Sequence, residues 1–182
     1  MNLTEEQLVL QLSQPKNRSN AFSVVVRTYQ ERLYWHIRKM VLSHEDANDV
    51  LQNTFMKAWN ALDGFRADSQ VSTWLYKIAT NETLTFLTNK RMRSQNSIDE
   101  VEEVLLQNLQ ADTYFNGNEI QMKLQKAILT LPEKQRLVFN MKYFDDITYD
   151  QMEAILGTSV GALKASYHYA VKKIEKILSE EE

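Results

Sequence analysis

From Ala21 to about Met92 the apolar positions recur every three or four residues. Phe22, Val25, Val26, Tyr29, Leu33, Ile37 and Met40 share one stripe, the spacing of a helix with a single buried face. A second helix is predicted to begin at Ser43, a good N-cap residue with Asp46 three positions on. Its stripe is Ala47, Val50, Leu51, Thr54, Phe55, Ala58 and Trp59. The period breaks over Leu62-Asp63-Gly64-Phe65-Arg66-Ala67-Asp68-Ser69, which reads as a loop. A third helix is expected from about Val71 to Lys90, with Trp74, Leu75, Ile78 and Ala79 inward.

Residues 94–118 lose that density, gain Asn, Gln, Asp and Ser, and end in Asn116-Gly117-Asn118. Val101 to Leu109 could form a short helix, but the whole reads as a linker. A second periodic region follows. Leu124, Ile128 and Leu131 close one helix; Thr130-Leu131-Pro132-Glu133 suggests a capping box with proline in the first turn. The next helix carries Leu137, Val138, Met141 and Phe144. Thr148-Tyr149-Asp150-Gln151 is another capping box, opening a short helix through Met152, Ile155 and Leu156. Gly157 suits the left-handed residue that ends a helix, and Thr158 or Ser159 caps a last helix running to about Leu178. The pattern predicts an all-α protein of two small helical domains, 1–93 and 119–182, joined by a flexible linker over 94–118.

Composition sharpens this picture. The 182 residues include 4 glycines, 2 prolines and no cysteine. So little glycine and proline argues against an all-β fold or a glycine-cradled nucleotide site; the lack of cysteine excludes disulfides, thiolate zinc sites and cysteine nucleophiles. The opening MNLTEEQLVLQL is acidic and polar where a signal peptide would be basic and then apolar. No apolar run approaches the roughly 20 residues of a membrane span. A cytoplasmic protein without membrane insertion is expected.

The net charge of −3 is low for a protein that grips DNA unaided, but it is unevenly spread. Residues 66–93 hold Arg66, Lys77, Lys90, Arg91 and Arg93 against Asp68 and Glu82. Residues 94–118 hold Asp99, Glu100, Glu102, Glu103 and Asp112 and no basic side chain. Residues 158–177 return to Lys164, Lys172, Lys173 and Lys176 against Glu175.

Three segments carry candidate chemistry. A helix of about eight residues, a glycine turn and a longer helix over 148–177 match a helix-turn-helix. On its last helix Val160, Leu163, Tyr167, Ala170, Val171, Ile174 and Leu178 share one face. Ser159 at the start, then Ala162, Lys164, Ala165, Ser166 and Tyr169, are candidates to approach base edges. Lys172 and Lys173 (with Lys176) would meet phosphates. An ordinary helical hairpin with solvated lysines is the alternative. The helix from His44 to Trp59 bears a polar stripe of Glu45, Asp46, Asp49, Gln52, Asn53 and Met56. His36, His44 and His168 are too scattered to build a metal site with it. That leaves a solvated face or a protein-docking face. From Phe65 to Arg93 aromatic side chains interleave with basic and amide ones, a combination suited to single-stranded nucleic acid. Trp74 falls on the apolar stripe and belongs to the core, so Phe65, Arg66 and Asp68 are the better candidates for a pocket, with Lys77 and Asn81 on the helix beyond.

The order of these parts resembles a known family. Asp46-Ala47-Asn48-Asp49-Val50-Leu51-Gln52-Asn53-Thr54-Phe55-Met56-Lys57-Ala58-Trp59 is similar to the D-A-x-D-x-x-Q-x-x-F-x-x-x-W run of bacterial sigma factors. Phe65-Arg66 with Ser72 through Asn81 resembles their F-R…T-W-L-Y-x-I-A-x-N run. Leu131 through Arg136 with Tyr143-Phe144, and Leu156 through Lys164, resemble the opening and the helix-turn-helix of their second conserved domain. The short length and bare linker point to the extracytoplasmic-function group.

The resemblance implies a DNA-reading subunit of core RNA polymerase, without catalytic residues, cofactor or metal. It implies that Asp46, Asp49, Gln52, Asn53 and Met56 dock on the clamp helices of the largest polymerase subunit. Loop 63–69 would receive a base flipped from the minus-ten element, with Lys77, Asn81 and the neighbouring Thr85 holding that strand. Helix 159–173 would read the minus-thirty-five duplex of promoter DNA, and the acidic linker would thread towards the RNA channel. An anti-sigma factor is a further conceivable partner. The chain departs from the family pattern at Thr85, where Asp is frequent, and at Ser166 and Tyr169, where Arg is frequent. Two other classes compete with this reading: a stand-alone helix-turn-helix regulator, and an adaptor working by helix docking alone.

Overall fold

The chain opens with a helix that its polarity conceals. In the computed structural model, which describes residues 4–93, 107 and 119–180, Thr4 and Gln7 cap each other at the start of α1 (Glu5–Ser13). The Thr4 hydroxyl accepts from the Gln7 N–H at 3.3 Å, and Gln7 Oε1 accepts from the Thr4 N–H at 3.0 Å. Leu8 and Leu12 are its buried side chains, one turn apart. No helix was expected here.

Helix α2 (Arg18–Val41) buries Ala21, Val25, Leu33, Ile37 and Met40. It ends at Leu42, whose φ of 62° is left-handed and whose N–H donates to the Arg38 carbonyl at 2.9 Å. A leucine in that conformation costs about 1–2 kcal/mol. Leu42 is buried, and enclosing such a side chain contributes about 1.5–3 kcal/mol, so burial offsets the strain. Helix α3 (His44–Ala61) starts as predicted, with Ser43 Oγ accepting from the Asp46 N–H at 3.3 Å. Ala47, Val50, Thr54 and Ala58 are buried along it. Trp59 sits at the edge of the stripe, 42% exposed, its ring edge-on to Phe22 at 5.2 Å. A 3-10 turn (Leu62–Gly64) and an irregular stretch lead to α4 (Val71–Arg93). One buried polar pair ties α2 to α4: His36 Nε2 lies 2.9 Å from Thr80 Oγ1, with the Tyr76 ring edge-on to the imidazole at 5.0 Å.

The chain divides into two compact units, Met1–Thr88 and Asn89–Glu182. In the second, α5 (Glu119–Leu129), α6 (Glu133–Tyr143), α7 (Tyr149–Leu156) and α8 (Val160–Glu180) follow one another. Ala127, Ile128, Leu131, Phe139, Ala170 and Ile174 form a core cluster, with Leu124, Tyr167, Val171, Ile177 and Leu178 packed against it. The capping box expected at Thr130 does not form. Pro132, extended at φ −53° and ψ 144°, is the N-cap of α6. The helix therefore starts too late for Thr130 to reach it, and that hydroxyl donates back to the Ala127 carbonyl at 2.7 Å. The box at Thr148 does form: Thr148 Oγ1 accepts from the Gln151 N–H at 3.2 Å, and Gln151 Oε1 from the Thr148 N–H at 3.0 Å. Gly157 ends α7 at φ 67°. A Cβ built there meets nothing within 4 Å, so the backbone conformation alone favours glycine.

Regular structure among the described residues is helical throughout, as the periodicity predicts, and no helix among them is long and apolar enough to cross a membrane. The linker 94–118, including the helix envisaged over 101–109, lies outside the described residues except for Gln107.

Candidate polymerase and nucleic-acid interfaces

The polar stripe of α3 is displayed by the burial of its opposite face. With Ala47, Val50, Thr54 and Ala58 in the core, Asp49, Gln52 and Asn53 are exposed, and Met56 is 59% exposed. Asp46 is half-buried at the capped end. The result is an acidic and amide ridge with one large apolar side chain at its far end.

The loop residues part company. Arg66 and Asp68 are exposed, flanking Ala67, which holds a left-handed φ of 56°. Phe65 is half-buried, its ring 4.7 Å from that of Trp74 and tilted by 43°. Trp74 is itself only half-buried, so the two residues assigned to pocket and core form one aromatic step. On α4, Lys77, Asn81 and Thr85 follow at intervals of four and are all exposed, making one stripe along the helix.

Asn81 also lines an open hollow of about 410 Å³ with Lys57, Asn60, Ala61, Ile78 and Glu82. Lys57 Nζ pairs with Glu82 Oε1 across it at 2.5 Å. Of the residues lining it, Lys57, Asn60, Ala61, Ile78 and Glu82 are not among the predicted site residues. Lys57 falls inside the α3 motif, whose pattern gives it no site role. Only the packing of the end of α3 against α4 brings these side chains together.

In the second unit Ser159 Oγ accepts from the Ala162 N–H at 3.4 Å, opening α8. Leu163, Ala170 and Ile174 are buried. Ser159, Ala162, Lys164, Ala165 and Lys172 are exposed and Ser166 is half-buried, with Tyr169 63% exposed. Lys173 is exposed too, but its Nζ donates to the Thr130 carbonyl at 2.7 Å, on the turn after α5. Lys142 and Lys164 approach the Tyr149 ring at the start of α7, at 5.2 Å and 5.8 Å from its centroid. Tyr167 stacks on Phe139 at 5.7 Å, and burial, then the neighbouring Tyr149 and Tyr143, push its phenol above the usual value. Among the described residues no group of three or more His, Cys, Asp or Glu could hold a metal ion.

Comparison with known proteins accounts for both units. Residues 25–93 match Sigma-70 region 2, and residues 121–174 match Sigma-70 region 4. The chain is 26% identical to the ECF RNA polymerase sigma factor SigW of Bacillus subtilis over 171 residues, covering 90% of this chain and 91% of that protein. It is 28% identical to the ECF RNA polymerase sigma-E factor of Escherichia coli K12 over 183 residues, covering 95% and 93%. Two solved structures share the fold at 22% identity. CnrH in complex with the cytosolic domain of CnrY superposes with a TM-score of 0.72, covering 98% of this chain and 99% of that one. The sigma factor RpoE of Bartonella quintana, bound to the anti-sigma factor NepR, superposes with a TM-score of 0.65, covering 87% and 96%. With the α3 motif, the loop, the α4 stripe and the helix-turn-helix occurring in order within the two matched regions, the chain belongs to the extracytoplasmic-function sigma factors and directs RNA polymerase to promoters for transcription initiation.

Proposed function

We propose that each unit carries a distinct part of that task. The exposed ridge of Asp49, Gln52, Asn53 and Met56, with Asp46 at its capped end, docks on the clamp helices of the largest polymerase subunit. Phe65, Arg66 and Asp68 on loop 63–69 receive a base flipped from the minus-ten element, Lys77, Asn81 and Thr85 hold that strand, and the hollow beside Asn81 accepts a second extruded base. Helix α8 presents Ser159, Ala162, Lys164, Ala165, Ser166 and Tyr169 to the minus-thirty-five duplex, with Lys172 on a phosphate. The observation that carries this reading is the continuity of the exposed α4 stripe with an open hollow of about 410 Å³. Such a surface offers cations at Arg66 and Lys77, hydrogen-bonding groups at Asn81 and Thr85, and room to hold one base out of the stack. The acidic linker 94–118, with Asp99, Glu100, Glu102, Glu103 and Asp112 and no basic side chain, suits passage through a basic, RNA-binding groove whose charge it complements.

Sigma factors are generally not enzymes, and we read this chain as non-catalytic and without cofactor, acting in the cytoplasm where the polymerase works. CnrH and the Bartonella RpoE were each solved in complex with another protein; an anti-sigma factor is accordingly proposed as a partner here.

Core polymerase binding tests the docking assignment. The double variant Asp49→Ala/Asn53→Ala should lower capture of the chain by purified core polymerase by about tenfold or more, with its far-UV circular dichroism unchanged. Capture within twofold of the parent would remove α3 from the docking role.

A further inference from the structure

The loop that leads into α4 is fastened at both ends by the N-terminal segment. At its far end, the Glu5 carboxylate accepts from the N–H of Val71, the first residue of α4, across 66 positions of sequence. That N–H is one of the four donors a helix start leaves without an internal partner, and a carboxylate there also faces the positive end of the helix dipole. At the near end, Arg18 Nη1 pairs with Asp63 Oδ1 at 2.7 Å while Arg18 Nε donates to the Leu12 carbonyl at 3.1 Å. One guanidinium thus joins the end of α1 to the 3-10 turn. Leu8 and Leu12 hold α1 down by burial, and Glu5 lies close enough to Tyr29 of α2 to help burial keep that phenol above its usual pKa. Between the two ties the chain passes through Ala67 at φ 56°. Alanine does not favour that conformation, and it persists where the surroundings fix the chain on either side.

We propose that α1 is a positioning element, and that Glu5 and Arg18 fix loop 62–70 and the start of α4 in the geometry that presents Phe65, Arg66 and Asp68 to the melted strand. This rests on the reading of that loop as the minus-ten site. The Arg18 tie is poorly explained as general reinforcement. The Asp63 side chain is 83% exposed, and an ion pair to so solvated a carboxylate adds little to stability. What it does is determine where the chain runs. Both ties end on the loop boundaries, leaving the α3 docking ridge untouched.

The test uses the full chain with core polymerase on a genomic promoter fragment that it transcribes. Two readouts are taken: capture of the duplex, and permanganate reactivity of thymines in the opened region. Glu5→Ala and Arg18→Met should each lower opening by about tenfold, with polymerase and duplex capture within twofold of the parent. Glu5→Gln, whose amide oxygen still accepts from the Val71 N–H, should recover most of the loss. Phe65→Ala serves as the control on the loop. Normal opening with Glu5→Ala but lost opening with Phe65→Ala overturns the role of α1 and spares the loop. Normal opening with both removes the loop reading, and this inference with it. Loss that Glu5→Gln does not repair, or that extends to polymerase capture, also overturns the inference, because α1 would then be serving the fold at large.

Discussion

Ala61→Trp should cut promoter opening by well over tenfold while polymerase capture and duplex binding stay within about twofold. Ala61 is the last residue of α3, exposed, and lines the hollow with Asn81 and Ile78. An indole there occupies the space without removing a buried contact. Asn81→Ala leaves the space open and removes an amide that can donate to and accept from a base edge. Contacts of that kind, and stacking of one base, are each worth about 1–3 kcal/mol, so its loss should reduce opening about tenfold. Permanganate footprinting of the holoenzyme on a transcribed fragment, beside a binding measurement on the same duplex, separates opening from capture. Normal opening by Ala61→Trp would mean that the base goes elsewhere.

Leu163→Ala should destabilise the second unit by about 2–5 kcal/mol, the range for truncating an enclosed leucine. Leu163 is 1% exposed and sits in the first turn of α8, where Ser159 has just capped the helix. Small domains are stable by about 5–15 kcal/mol in all, so the loss is a large share of the total. Trp35, Trp59 and Trp74 all belong to the first unit. In urea, the helical circular dichroism should therefore acquire an early transition while the tryptophan fluorescence midpoint hardly moves. A shift below about 1 kcal/mol in the early transition would show that α8 does not depend on this side chain.

Much of the fold was legible because helices with one buried face declare themselves by spacing. The α2, α3 and α8 stripes needed only periodicity, and Ser43, Thr148 and Gly157 marked ends through purely local chemistry. Where chemistry was not local, the sequence misled or kept silent. Thr130 and Glu133 have the capping-box spacing, but the extended Pro132 between them takes the N-cap itself. Helix α1 was passed over because only Leu8 and Leu12 among its nine residues are buried, although Thr4 and Gln7 have box spacing too. The candidate site divides likewise. Asp49, Gln52, Asn53, Lys77 and Asn81 stand exposed on the faces that the stripes assigned to them. The hollow at Lys57, Asn60, Ala61 and Ile78 joins the end of one helix to the middle of another some twenty residues on, and no spacing rule encodes that meeting. The stripe position of Trp74 favours the core, yet its ring is half-buried beside the half-buried Phe65.

The bond from Lys173 to the Thr130 carbonyl bears on how grip on a duplex varies with ionic strength. Each phosphate neutralised by a protein cation releases a condensed counterion, steepening the fall of log K against log salt by about 0.9. An ammonium seated on a neutral carbonyl of its own unit keeps its charge and two further N–H donors, but that bond fixes where the charge lies. Salt titration of duplex binding should therefore lose about 0.9 of its slope in Lys172→Ala, whereas Lys173 joins a phosphate only where the duplex passes close to the Thr130 carbonyl that holds its ammonium.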